Sequence, residues 1–478
     1  MIVNLFLLAC LSLTFGFFLL GGAVYADLSG MPRAPYLIPA VLALAVALPL
    51  PLLRRRVRRN VSLVEGAFFL PFSWLYLTVI GLLPFYLTGV ADPTDAFLAA
   101  ASALSTTMPL YAHEEIDALL FSYQVFLGWF GGLHFLVLLF TILPVVGGCF
   151  GVSLTAGGEE TYSPLLTRMR TKGLNAMVLY TLWTVISILA YAAAGASPED
   201  AVAAGLSTVS TLGFGTDGGY AASVVGMPFI MLLSILSGTS NLLWQRALEK
   251  RSWRMVVGDG EFLYYLRVAS ISAALMAFAF WLRGGEAPLE AMGSGAFYAV
   301  SFLTTSGSLL ESSPNFASTI NFGLLLLTFI GCSIGSAGGG FSPIRLRILL
   351  RAVRAEVRRT LHPRMVVTIS AGDYDVPNRI LGRILIFFFL YFGTFALGAV
   401  VLSLAGLGAM PAIALTAGCL TSTGTLYTLF AGSSFFTLPL WTKMTACLLM
   451  LLGRLEIFAC LVLVGASVGR AATGKWKD

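Results

Sequence analysis

Pro288-Leu289-Glu290-Ala291-Met292-Gly293-Ser294-Gly295-Ala296-Phe297-Tyr298-Ala299-Val300-Ser301-Phe302-Leu303-Thr304-Thr305-Ser306-Gly307 is a short run, rich in small residues, that opens on proline and closes on hydroxyls and a glycine. The same plan recurs three times. Pro93 leads to Ser105-Thr106-Thr107-Met108, Pro198 to Ser210-Thr211-Leu212-Gly213, and Pro411 to Thr421-Ser422-Thr423-Gly424. In chain order the proline-to-fourth-position distances are 15, 15, 19 and 13 residues, and the fourth positions are spaced by 105, 94 and 117. One such triplet means little in a chain with 50 glycines. Four of them, each between apolar spans, imply four pseudo-equivalent pieces lining one path. That is the layout of a cation filter, where backbone carbonyls replace the ion's water.

The surrounding chain fits a membrane. Of 478 residues, 58% are hydrophobic and 11% charged, against about 25% charged in soluble domains. The pI near 9.0 does not point to nucleic acid, because the basic residues sit between apolar spans in the positive-inside pattern. Cys10, Cys149, Cys332, Cys419, Cys447 and Cys460 all lie in apolar segments without a C-x-x-C pair and read as small hydrophobes. The first span ends in Val24-Tyr25-Ala26, like a signal cleavage site, but no Lys or Arg precedes it, so it reads as an uncleaved helix.

A spanning helix needs about 20 mainly apolar residues. Ten such spans are expected, at 2–25, 36–53, 64–89, 120–147, 173–195, 224–244, 262–283, 318–350, 380–407 and 438–468. The fold class is therefore all-α integral membrane. Two extra N-terminal helices occupy 1–60, and four helix–pore-loop–helix repeats occupy 61–170, 171–258, 259–372 and 373–478. Basic clusters follow only even-numbered spans: Arg54–Arg59, Arg168–Lys172, Arg246–Arg254, Arg345–Arg364 and Arg470–Lys477. They mark one cytoplasmic side, with both termini there. The opposite side is acidic, with Asp92, Asp95, Glu114, Glu115, Asp117, Glu199, Asp200, Asp217, Glu286, Glu290 and Glu311. That rim is either a set of solvated loops or a device that enriches cations at an outer mouth.

Pro93, Pro198 and Pro288 follow Asp92, Ser197 and Ala287. Proline suits a helix's first turn, and Asp or Ser suits its N-cap. About ten residues then make a helix of roughly 15 Å, half the hydrocarbon core. Its C-terminal end carries partial negative charge and favours a cation. The chain must return as extended backbone, which is tolerated at membrane depth only inside protein or beside water. Gly213, Gly307 and Gly424 would allow left-handed dihedrals that aim carbonyls inward. The neighbouring hydroxyls would add oxygens or tie each loop to its short helix.

From about residue 64 onward the chain resembles the Trk/Ktr/HKT superfamily of potassium transporters, specifically the Trk-type membrane subunit, whose branch carries an extra N-terminal helix pair. The resemblance rests on the four filter stretches and on Gln124–Gly132, with its W-x-G-G segment. It rests also on Gly331-Cys332-Ser333-Ile334-Gly335-Ser336-Ala337-Gly338-Gly339-Gly340, Leu361-His362-Pro363-Arg364 and Gly453-Arg454-Leu455-Glu456-Ile457-Phe458. It implies a monovalent-cation path of the inner membrane, K+ by default, with the ion at Thr106, Thr107, Met108, Thr211, Leu212, Gly213, Thr305, Ser306, Gly307, Ser422, Thr423 and Gly424. It implies a homodimer on a cytosolic ring of nucleotide-binding regulatory subunits, docked on the basic face, which would equally suit anionic membrane lipid. No cofactor and no enzyme activity are expected. No Walker motif, dinucleotide fingerprint, H-E-x-x-H or Ser–His arrangement is present.

Met108 departs from the family pattern, where glycine is usual and some plant members carry serine and favour Na+. Methionine takes positive φ poorly, its thioether is a poor ligand for a hard cation, and Pro109 stiffens the strand. An extended loop would still turn the Met108 carbonyl to the ion, with the side chain packed outward. The alternatives are a Na+-permeable or weakly selective relative, or a non-conducting sensory or binding homologue.

Arg454 lies mid-span, where an arginine costs between about 2.5 and 17 kcal/mol against lipid. It must face the interior. It is either a salt-bridge holder or, as in the family, a positive barrier below the filter. Gly331, Gly335, Gly338, Gly339 and Gly340 should unwind their span. They serve either close helix packing or the family's movable gate loop. His134 reads as a packed core residue, and His113 as a candidate for tuning ion entry with pH.

Overall fold

The computed structural model describes residues 2–56, 62–108, 110–111, 115–143, 169–213, 226–310, 316–362, 364, 368–371, 374–455 and 457. Among these, seven helices are long and apolar enough to cross a bilayer: Ile2–Leu28, Ala34–Arg55, Val64–Leu87, Ala118–Thr141, Thr171–Ala193, Gly260–Gly284 and Ile380–Leu404. Each overlaps an expected span. The Leu63–Gly81 helix starts on a capping box, in which Ser62 and Glu65 bond each other's backbone amides. The tenth span is described as a helix only over Leu440–Arg454.

Two expected spans are not continuous helices. The sixth is Gly226–Ser237 plus Asn241–Glu249, bent by 84°. Its break falls on Gly238, where a side chain would collide with the Tyr265 hydroxyl, 2.5 Å from the Cβ position. The eighth unwinds at the glycine run, as expected, and is corrected beyond it. Only Ser318–Ile330 is an apolar helix. The chain then runs without helix through Gly331–Ser342, and Pro343–Leu361 is a basic helix rather than part of a span. Five glycines in ten residues remove the side-chain contacts and restrict the backbone too little to hold a helix.

Between the two long segments of each repeat lies one short helix: Pro93–Leu104, Pro198–Ser210, Pro288–Leu303 and Ala409–Thr421. Their small residues let neighbours approach closely. Gly131 and Gly453 make matching contacts in repeats one and four. A Cβ at either would strike the carbonyl of Leu104 or Leu420, the last turns of the first and fourth short helices. These glycines set how deep the two short helices sit.

Candidate functional site

The short helices have 12, 13, 16 and 13 residues, or about 18–24 Å at 1.5 Å per residue. Ser197 caps the second through the Asp200 amide, while Asp92 and Ala287 occupy cap positions without a side-chain bond. The fourth begins at Ala409, ahead of Pro411.

All four end the same way. Thr106, Thr211, Thr305 and Ser422 take left-handed φ of 54°, 56°, 55° and 59°. The next amide then bonds back to the helix: Thr107 N to Ser102 O, Leu212 N to Ser207 O, Ser306 N to Ser301 O and Thr423 N to Gly418 O, at 2.8–3.0 Å. A non-glycine residue held left-handed costs on the order of 1–3 kcal/mol and persists only where its surroundings dictate it. A left-handed turn therefore falls on the second position of each stretch, which the glycines had not pointed to. At the fourth position Gly213 (φ 77°) and Gly307 (φ 62°) are left-handed as well. Gly424 is right-handed at φ −61°.

The four stretches meet. A Cβ on Gly213 would strike the Ser306 carbonyl, and one on Gly307 the Thr425 hydroxyl. Gly424 N donates to Thr107 O at 2.9 Å. A Cβ on Gly424 would lie 2.8 Å from Met108 Cγ and Sδ. Contacts thus run from repeat two to three, three to four, and four to one.

Repeat one differs from its partners. Ser102 Oγ donates to the Met108 carbonyl at 2.8 Å, whereas the matching Ser301 Oγ reaches one residue further, to Ser308 O. The Met108 carbonyl is bound to its own short helix, and its side chain lies beside Gly424 and packs against the hydrophobic core. The hydroxyls mostly tie the loops to themselves, as Ser105 does with Thr107 and Thr421 with Thr423. Thr106 Oγ1 and Thr211 Oγ1 are fully buried without a hydrogen-bond partner.

The glycine-rich loop lies against these stretches. Gly339 N donates to Thr305 Oγ1 at 2.9 Å, and Cys332 Sγ to Thr304 O at 3.1 Å. Gly331, Gly335 and Gly340 are left-handed. Gly338 and Gly339 sit where a Cβ would strike Cys332 Sγ and the Thr421 carbonyl. Arg454 is 2% exposed. Its Nη1 donates to Ala337 O at 2.7 Å, and its guanidinium lies 4.2 Å over the Phe135 ring. Nε and Nη2 have no partner. No carboxylate pairs with it among the described residues, which disfavours the salt-bridge reading; Glu456 lies outside them. His134 is buried and bonded to Ser73, 3.1 Å away. His113 falls outside the described residues.

A family profile for cation transport proteins, TrkH, matches residues 50–468. The chain belongs to the TrkH family of cation transport proteins. It is 28% identical over 419 residues to the Trk system potassium uptake protein TrkH of Salmonella typhimurium, covering 86% of each chain. It is 29% identical over 418 residues to that of Halomonas elongata, again covering 86% of each. The crystal structure of the potassium transporter TrkH from Vibrio parahaemolyticus superposes with a TM-score of 0.86 at 26% identity, covering 96% of this chain and 97% of that one. The TrkH-family chain is thus a multi-pass membrane transport protein, not an enzyme.

Three features of the TrkH-family chain escaped the sequence. Asp95 is not a free rim charge: Lys443 of the last helix pairs with it in the first turn of the first short helix. Arg345 and Arg347 are engaged within the chain. Arg345 is buried over Phe387, and Arg347 bonds the Gly260 carbonyl. Gln124, fully buried, accepts from the Leu110 and Tyr111 amides and donates to Tyr111 O, all at 3.0–3.1 Å. It clamps the strand leaving Met108. Gln124→Leu strands these backbone groups at about 1–3 kcal/mol each, so the variant should melt below wild type and lose cation flux. Unchanged melting would show that the clamp adds nothing to stability.

Proposed function

We propose that this chain is the K+-conducting membrane subunit of an uptake system in the inner membrane, with both termini in the cytoplasm. The four repeats, divided at 61, 171, 259 and 373, surround one path. The stretches ending at Met108, Gly213, Gly307 and Gly424 form its filter. The loop from Gly331 to Gly340 and Arg454 close it from below. The observation that supports this is the set of four left-handed hydroxyl residues, one at the end of each short helix, two with buried hydroxyls left unpartnered. A buried polar atom without a partner is costly, and a dehydrated alkali cation or its water would supply one.

Thr106→Val with Thr211→Val tests it. The shapes match and no existing hydrogen bond is lost, so melting should be unchanged. Rubidium uptake into vesicles should fall about tenfold, the worth of roughly 1.4 kcal/mol of lost coordination. Undiminished uptake by the double variant would overturn the hydroxyl site. Wild-type vesicles that take up neither rubidium nor sodium would favour the non-conducting homologue.

Weak selectivity is the reading that repeat one supports. The carbonyls of Thr107 and Met108 are both engaged by protein donors, leaving an asymmetric outer ring. A homodimer on a cytosolic nucleotide-binding ring completes the proposal. Of the Arg345–Arg364 stretch, the exposed arginines at 354, 358, 359 and 364 and the half-buried Arg351 are the docking charges that remain once Arg345 and Arg347 are set aside.

A further inference from the structure

A cavity of about 640 Å³ opens between the first two helices, the Ala118–Thr141 helix and the second short helix. Its size falls in the roughly 300–1,000 Å³ range of ligand pockets. Its walls are apolar, with Phe17, Phe18, Tyr36, Phe126, Val202 and Leu206. Leu206 lies five residues before Thr211, so the cavity runs along the back of a helix that ends in the filter.

Its polarity is graded. Glu199, in the first turn of the second short helix, and Tyr25, near the end of the first helix, line it. Asp117 stands at the N-cap of Ala118–Thr141, within electrostatic reach of Tyr36. Glu199 and Asp117 are exposed and make no ion pair among the described residues. The whole mouth lies at the end of the bundle where the short helices begin. A ligand that fits is amphipathic, with an aliphatic body and a cationic head.

We propose that this cavity binds one acyl chain of an aminophospholipid such as phosphatidylethanolamine, drawn from the leaflet on the acidic side, with its ammonium between Glu199 and Asp117. Burial of the chain supplies affinity, at about 0.8 kcal/mol per methylene removed from water before insertion. Because the chain comes from bilayer rather than water, discrimination rests on the head. The carboxylates favour an ammonium and repel the net negative charge of phosphatidylglycerol. An occupied cavity braces the second short helix from behind, where a void would let it shift.

The test is native mass spectrometry of the full chain released from vesicles containing both phosphatidylethanolamine and phosphatidylglycerol. Wild type should retain one phosphatidylethanolamine with a preference of about fivefold, the scale of a partly exposed charge pair. Glu199→Gln should bring the preference towards unity while keeping a bound lipid. Gly21 lines the cavity, and a Cβ there meets nothing within 4 Å, so Gly21→Phe fills the space without straining the helix. It should abolish the retained lipid, as should Ala203→Phe from the opposite wall. Equal retention of both lipids by wild type, or retention by both filled variants, would overturn the proposal. So would loss of a dimer in the filled variants with no lipid in wild type, which would assign the cavity to a second copy. Bound lipid is counted whether or not the protein conducts K+, so this result stands apart from the filter's.

Discussion

Arg454→Ala is expected to raise cation flux by one to two orders of magnitude in a protein that still folds. The guanidinium is buried, has two nitrogens without partners, and is tied through Ala337 to the loop that packs against Thr305. A unit charge some 6–8 Å from a passing cation opposes it by about 2–3 kcal/mol at an effective dielectric constant near 20. Removing it lowers that barrier and releases the Ala337 carbonyl. Two further variants separate the effects. Arg454→Lys keeps the charge and should stay close to wild type. Arg454→Gln keeps a donor for Ala337 but loses the charge, and should lie between wild type and alanine. If the alanine form were folded yet silent, the arginine would be a structural brace and not a barrier.

Met108→Gly is expected to raise K+ over Na+ permeability about tenfold, equivalent to roughly 1.4 kcal/mol. Two changes combine. The thioether leaves the face of Gly424. The backbone also gains access to the left-handed dihedrals used by Gly213 and Gly307. Ser102 can then bond one residue further along, as Ser301 does with Ser308, freeing the fourth-position carbonyl. Bi-ionic potentials of wild type and variant in one lipid mixture give the ratio directly. Equal ratios would show that selectivity is set by the other three loops.

Much of this was legible because the bilayer punishes ambiguity. Apolar length places a span, and basic residues between spans orient it. A short Pro-led segment between spans has little option but to enter and return. The four stretches and Arg454 could be picked out for that reason. The break at Gly238 was harder, because apolar composition alone does not say where a helix unwinds. Its signal was Ser237-Gly238-Thr239-Ser240, which reads equally well as a packing face. The unwinding after Ile330 was expected from the glycine run, and the error was to extend the eighth span to residue 350, into the basic helix Pro343–Leu361.

The sequence by itself determined a membrane-embedded, all-helical chain with four like Pro-led stretches, because hydropathy, charge placement and helix-start chemistry are local properties. Tertiary structure alone decided that the left-handed turn sits on Thr106, Thr211, Thr305 and Ser422, that Met108 leans on Gly424, and that Arg454 holds the glycine-rich loop. The turn is closed by an amide that bonds five residues back, while the other two depend on which distant group accepts a hydrogen bond or denies space for a Cβ. Such contacts join residues about 100 or more positions apart in the chain, beyond the reach of any local pattern.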